Sequence, residues 1–174
     1  SAEQTAIAVA VARSLGTPLV IHQPSYSMLN RWVEDGLTGV LRQEGLGAIA
    51  FTPLAQGLLT DKYLSGAAAD RAQNRNSVPA DRVSEHGRSL LGGLNEIARQ
   101  RGQSLAQMAI QWVLRDPVVT SALIGASRPD QLDENLAAIA GPAFDTEELE
   151  QIDALTDGVD LSPSGPIWAD PSDS

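Results

Sequence analysis

The chain has 174 residues, 43% of them hydrophobic, with no cysteine and a net charge of −10. That length carries one domain with a real core, the lack of thiols excludes a disulfide framework or a thiolate metal site, and the acidic balance argues against a nucleic-acid partner or an anionic membrane surface. No apolar stretch approaches the roughly 20 residues of a membrane-spanning helix.

The N-terminal SAEQTAIAVAVARSLG has acidic Glu3 and no cationic leader, so it does not read as a signal peptide. A cytoplasmic protein is expected, one that opens in mid-helix like a chain cut from a longer one. The Ala/Val-rich segment 6–15, stopped by Gly16, predicts an amphipathic helix. LVIHQ at 19–23, closed by Pro24, predicts a strand. In segment 31–44, Trp32, Val33, Leu37, Val40 and Leu41 recur at near-helical spacing, and Gly45 ends the run. Residues 46–51, LGAIAF, predict a second strand, which Pro53 must stop because it has no N–H to donate. Segment 64–84, with its Ala run, Arg, Asn and Pro79, predicts a long surface loop of the kind that serves as a lid. His86 at its end reads as solvated.

A helix over 88–101 follows, with Leu90, Leu91, Leu94, Ile97 and Ala98 on one side. Ser104 and Gln107 then form an S-x-x-Q capping box, opening a helix whose apolar face holds Met108, Ala109, Trp112 and Val113. Residues 118–124 predict the third strand, 129–139 a helix with Pro at its first turn, and Asp145 or Thr146 caps a last helix to Leu155. Residues 159–174 are rich in Pro, Ser and Asp, so a flexible tail is expected after a structured unit over 1–158.

Strands alternating with helices imply right-handed crossovers and a parallel sheet. Three strands alone would leave apolar surface uncovered, so the pattern suits a piece of a barrel or of a doubly wound sheet. No G-x-G-x-x-G opens any helix. In a barrel, functional groups sit at the C-terminal strand ends. Those ends carry Gln23, then Phe51-Thr52-Pro53, then Gly125-Ala126-Ser127, side by side on one rim. In IAFTPLAQGLLTDKY, a strand end, the Thr52 hydroxyl, the small-residue loop at Ala55-Gln56-Gly57 and Lys62 suit a bound phosphate. The same residues also read as a plain strand-to-helix connection.

Three stretches, IHQPSYSMLNR, IAFTPLAQGLLTDKYLSG and SALIGASRPDQLDEN, make the sequence resemble the C-terminal half of an aldo-keto reductase, over nearly the whole chain to Leu155. The likeness is greatest to bacterial L-glyceraldehyde 3-phosphate reductases and next to β-subunits of voltage-gated potassium channels. The resemblance implies a (β/α)8 barrel that binds NADPH without a Rossmann fold and reduces small aldehydes and ketones. It implies that Gln23 bonds the nicotinamide carboxamide, an amide offering both donor and acceptor, and that Phe51 stacks on the nicotinamide ring. Thr52, Pro53, Leu54, Gln56 and Lys62 then belong to the loop over the pyrophosphate, and Arg71 to a lid. Gly125, Ser127, Gln131, Glu134 and Asn135 belong to the adenosine and 2′-phosphate end.

The chain departs from the better-known reductases in two ways. Those carry Lys at the position of Gly125 and Arg at that of Gln131; here Arg128 is the candidate to restore the charge. The family's catalytic Asp, Tyr, Lys and His lie in the first half of the barrel, outside this chain. His22 should face the helix layer if Gln23 faces the mouth, and Tyr26 and Tyr63 are expected to be packing residues. No metal-ligand spacing is present. The intact protein is thus expected to be an NADPH-dependent reductase, with this chain inactive alone and pairing with the other half or with a second copy. The alternative is a nucleotide-sensing regulatory protein of the channel β-subunit type.

Overall fold

The computed structural model describes residues 1–64 and 83–159. Ser1 and Gln4 form a capping box that starts helix α1 (Ala2–Ser14), earlier than the sequence pattern placed it. The short strand β1 (Ile21–His22) follows. The single helix expected over 31–44 is broken in two. Trp32–Glu34 forms one 3-10 turn, and α2 (Leu37–Glu44) begins only after Gly36, whose φ of 83° is left-handed. A glycine in that conformation ends one helical turn and redirects the chain into the next.

Strand β2 (Gly47–Phe51) and two 3-10 turns, Ala55–Gly57 and Asp61–Tyr63, come next. Ser84 caps α3 (Glu85–Gln100) through the Gly87 amide, so His86 lies exposed in the first turn. Ser104 and Gln107 make the expected capping box of α4 (Leu105–Leu114). Then come β3 (Val119–Leu123) and α5 (Pro129–Leu136), which tightens into a 3-10 turn at Ala137–Ala140. Asp145 caps the last helix, α6 (Thr146–Thr156). Most of the expected loop 64–84 and all but the first residue of the tail lie outside the described residues.

The three strands form one parallel sheet in the order β1-β2-β3. Strand β1 is shorter than its sequence pattern because Pro24 cannot donate to the ladder; pairing resumes as a bridge between Ser25 and Phe51. Alternation sorts the two faces. Ala48 and Ala50 are buried toward the helices, where Tyr26, Leu41, Leu94, Met108 and Trp112 share their core. His22 pairs in register with Ala48, so it faces the helix layer as expected.

The opposite face is open. Ile21, Phe51 and Leu123 are exposed there, whereas a parallel sheet ordinarily has both faces covered. Val20 is exposed as well, and Ile49 and Ile124 are half-buried. Further apolar rows stand exposed at Ile7, Val11 and Leu15 on α1 and at Leu132, Leu136 and Ile139 on and after α5. Among the described residues, three parallel strands with helices on one side only make the arrangement of part of a (β/α)8 barrel.

Candidate functional site

The C-terminal ends of the three strands meet on one rim. Phe51 pairs in register with Leu123 on β3 and bridges Ser25 beyond β1. The Phe51 amide donates to the Pro24 carbonyl at 2.9 Å, and the Tyr26 amide to the Phe51 carbonyl at 3.1 Å. Gln23 sits between the β1 pairs and the Ser25 bridge, exposed. A ring at a strand end would ordinarily be buried by whatever covers that face; Phe51 is instead 36% exposed.

The chain after Phe51 is unusual. Thr52, Ala55 and Gln56 all have left-handed φ, at 55°, 48° and 57°, and Gly57 follows at 92°. Each non-glycine residue in that region costs about 1–2 kcal/mol, and such costs gather at binding sites. Pro53 is buried, Leu54 half-buried, and Thr52 and Gln56 are exposed. The Lys62 backbone lies in the Asp61–Tyr63 turn. The Lys62 side chain and the whole of Arg71 lie outside what the structure describes.

At the β3 end, Gly125, Ser127 and Arg128 are exposed ahead of α5. Three of the sequence-derived candidates, Ser127, Gln131 and Arg128, are already engaged with their neighbours. The Ser127 amide donates to Gln131 Oε1 at 3.0 Å, and Arg128 is paired with Asp130 at 3.1 Å. The positive charge of Arg128 is therefore shared with a carboxylate two residues away. Glu134 is exposed, but Asn135 is buried and its Nδ2 has no hydrogen-bond partner. A buried amide donor left unmet costs on the order of 1–3 kcal/mol.

Beneath the rim lies a network the sequence reading missed. Glu34 accepts from Tyr26 Oη at 2.5 Å, from Arg115 Nη2 at 3.0 Å, and from Arg31 Nε and Nη2 at 2.9 and 2.7 Å. Burial works to raise the Glu34 pKa, but these bonds outweigh it and hold the carboxyl below its ordinary value. Burial also pushes the Tyr26 hydroxyl well up, and that hydroxyl is engaged by both Glu34 and Arg115. Tyr63 is buried as well, with its pKa raised for the same reason. Near-helical spacing alone carried no sign of this cluster, because it joins the segment after β1, the turn at Trp32–Glu34 and the C-terminal cap of α4.

Trp32 and Ser25 were also missed as rim residues. The Trp32 indole N–H donates to the Ser25 carbonyl at 2.9 Å and lies 3.2 Å from the Ser25 hydroxyl. An aromatic two residues past a buried Asn could be read only as helix packing until the turn at 32–34 was seen. Among the described residues no group of His, Asp and Glu could hold a metal ion, and no helix is long and apolar enough to cross a membrane.

Residues 1–157 match the model of the aldo/keto reductase family. The chain is 50% identical to an L-glyceraldehyde 3-phosphate reductase of Escherichia coli strain K12 over 165 residues, 91% of this chain and 48% of that protein. It is 39% identical to Protein tas of the same strain over 122 residues, 70% of this chain and 35% of that protein. It is 33% identical to a probable voltage-gated potassium channel subunit beta of Oryza sativa over 162 residues, 89% of this chain and 49% of that protein. The chain spans about half the length, or less, of these relatives. With a family model matched along nine-tenths of its length and a one-sided parallel sheet behind the match, this chain belongs to the aldo/keto reductase family.

Proposed function

We propose that the chain is the nucleotide-holding part of an NADPH-dependent reductase of small aldehydes and ketones. The observation that carries this is Phe51: an exposed ring at a strand end, followed by a loop held in left-handed conformations at Thr52, Ala55 and Gln56. The residues fit the nucleotide. Phe51 offers a face for a flat ring, Gln23 an amide on the same rim, and Asn135 an unmet donor at the far end. The fit is weakest at the 2′-phosphate, where Arg128 already has Asp130. NADPH, when bound, supplies the hydride that reduces a carbonyl carbon.

In this reading Phe51 and Gln23 orient the reactive ring, and the Thr52–Gln56 backbone with Lys62 and Arg71 holds the pyrophosphate. Gly125, Ser127, Arg128, Gln131, Glu134 and Asn135 hold the adenosine end. The proton for the carbonyl oxygen comes from another stretch of polypeptide, because both described tyrosines are buried packing residues and His22 faces the helices. The open sheet face is where that stretch, or failing it a second copy, docks. The unit over 1–158 is then one piece of a barrel, in a cytoplasmic enzyme.

The likeness to a potassium channel subunit favours a second reading, in which bound nucleotide regulates a partner and turnover is incidental. The test is NADPH oxidation by the full-length protein with methylglyoxal. Turnover supports the reductase; tight nucleotide binding with no turnover on any small carbonyl supports the regulator; neither binding nor turnover overturns both.

A further inference from the structure

Trp32 stands out among the exposed apolar side chains. Single exposed hydrophobics are ordinary and need no explanation, but this ring is fixed as well as exposed. Its area is 41% open, while its only polar atom is fully used: the indole N–H donates to the Ser25 carbonyl at 2.9 Å and reaches the Ser25 hydroxyl at 3.2 Å. The Ser25 hydroxyl also accepts from Asn30 Nδ2 at 3.1 Å, and Asn30 is buried. The anchor is therefore held from behind.

The direction of the anchor matters. Along the segment after β1, Pro24 and Tyr26 are buried toward the helices, while Gln23 is exposed and Ser25 half-buried. By alternation Ser25 shares the open face with Gln23. Ser25 bridges Phe51 across the strands, and neighbouring strands lie roughly 4.8 Å apart. Trp32 is thus tied to the open side of the rim through Ser25, the strand neighbour of Phe51. An indole held by its N–H presents a flat apolar face at low entropic cost, which is how aromatic anchors are used in binding sites.

The geometry points to Trp32 as a specificity-determining residue, an apolar wall that takes the planar or hydrocarbon group of a carbonyl substrate whose reacting end lies toward Phe51. This rests on the reductase reading above. Phe51 serves the cofactor in that reading, so among the described residues Trp32 is the exposed aromatic left for the substrate, and it sets which side groups are accepted without touching the reacting carbonyl.

The test uses the full-length protein and two dicarbonyls with the same reacting group, methylglyoxal and phenylglyoxal. Trp32→Ala should raise KM for phenylglyoxal about tenfold, the size of one lost aromatic contact. It should leave methylglyoxal turnover and NADPH affinity within about twofold. Trp32→Phe should keep most of the preference. Ser25→Ala, which removes the hydroxyl but not the carbonyl, should weaken it in the same direction, and it keeps the test alive if Trp32→Ala does not fold. Equal losses for both substrates, or none for either, would overturn the proposal and make Trp32 a packing residue. A wild-type protein that reduces neither compound would instead remove the reductase reading on which it rests.

Discussion

The Arg115 guanidinium lies 3.5 Å from the centroid of the buried Trp112 ring. Arg31 approaches the same ring at 5.1 Å, and both arginines converge on the carboxylate of Glu34. Arg31 also reaches Asp153 on α6 at 2.6 Å. One half-buried carboxylate therefore ties the rim segment after β1 to α4, and through Arg31 to the last helix. The arginines gain both a flat aromatic surface and an acceptor, which suits guanidinium better than ammonium.

Glu34 should accordingly be a pH-dependent stabiliser. Its folded-state pKa lies below the ordinary 4.5, so its contribution is present above that value and is lost as pH falls through the folded pKa. Glu34→Gln should destabilise the protein at pH 7 by about 1–2 kcal/mol, at the low end for charged hydrogen bonds because the site is partly solvated. In thermal melts the gap between wild type and variant should close below pH 4.5. A gap that stays constant from neutral to acid pH would show that the carboxylate's charge is not what matters.

Arg101 should be the most costly single cation to lose. Its side chain is 1% exposed. It bonds Glu148, Gln103 Oε1 at 2.9 Å, Gln111 Oε1 at 3.0 Å and the Pro142 carbonyl, and it stacks on Phe144 at 3.8 Å. Arg101→Met leaves Glu148 and two amides short of a donor, and should cost about 3 kcal/mol. Arg101→Lys should recover little, since one ammonium cannot reproduce the fork. Denaturant midpoints for the two variants check this; a lysine variant as stable as wild type would contradict it.

Much of this was legible in the sequence because it is local. The capping box at Ser104, a cap at Asp145 or Thr146, the strand stop at Pro53 and the opposite facing of His22 and Gln23 depend on neighbours a few residues away. The resemblance marked Phe51 and the segment 125–135 as candidates. What was not legible depends on tertiary contact. Gly36 divides segment 31–44 although its hydrophobic spacing is helical throughout, because a left-handed residue resets the helix phase. The Glu34 cluster joins residues 81 and 89 positions apart in the chain. That Arg128 would turn to Asp130, and that Asn135 would be buried with an unmet donor, are side-chain outcomes no spacing rule contains.

The left-handed loop allows stability and binding to be separated. Gln56 is exposed with φ of 57°. Glycine there relieves about 1–2 kcal/mol of strain and gives back about 0.5–1 kcal/mol to the unfolded chain. Gln56→Gly should therefore melt at or slightly above the wild-type temperature. If the Gln56 side chain contacts the nucleotide, NADPH affinity in the full-length protein should fall severalfold, the worth of one hydrogen bond. Unchanged affinity would remove Gln56 from the proposed site and leave its conformation without a binding role.

The last prediction concerns residues 1–174 expressed alone. A closed barrel takes about eight strands, and this sheet has three, with Ile21, Phe51 and Leu123 open on one face. The rows Ile7, Val11, Leu15 and Leu132, Leu136, Ile139 add apolar surface on two helices. So much exposed apolar surface is rarely left in water by a stable monomer. The chain should therefore self-associate in sedimentation experiments, and Leu123→Lys together with Val11→Lys should shift it toward monomer. It should show no NADPH oxidation with methylglyoxal, since hydride transfer also needs a proton source and a place for the carbonyl, and neither buried tyrosine offers one. Monomeric behaviour would mean that the open face is tolerated. Turnover like that of an ordinary reductase would mean that a proton donor lies within this chain, and Tyr26→Phe would be the first variant to make.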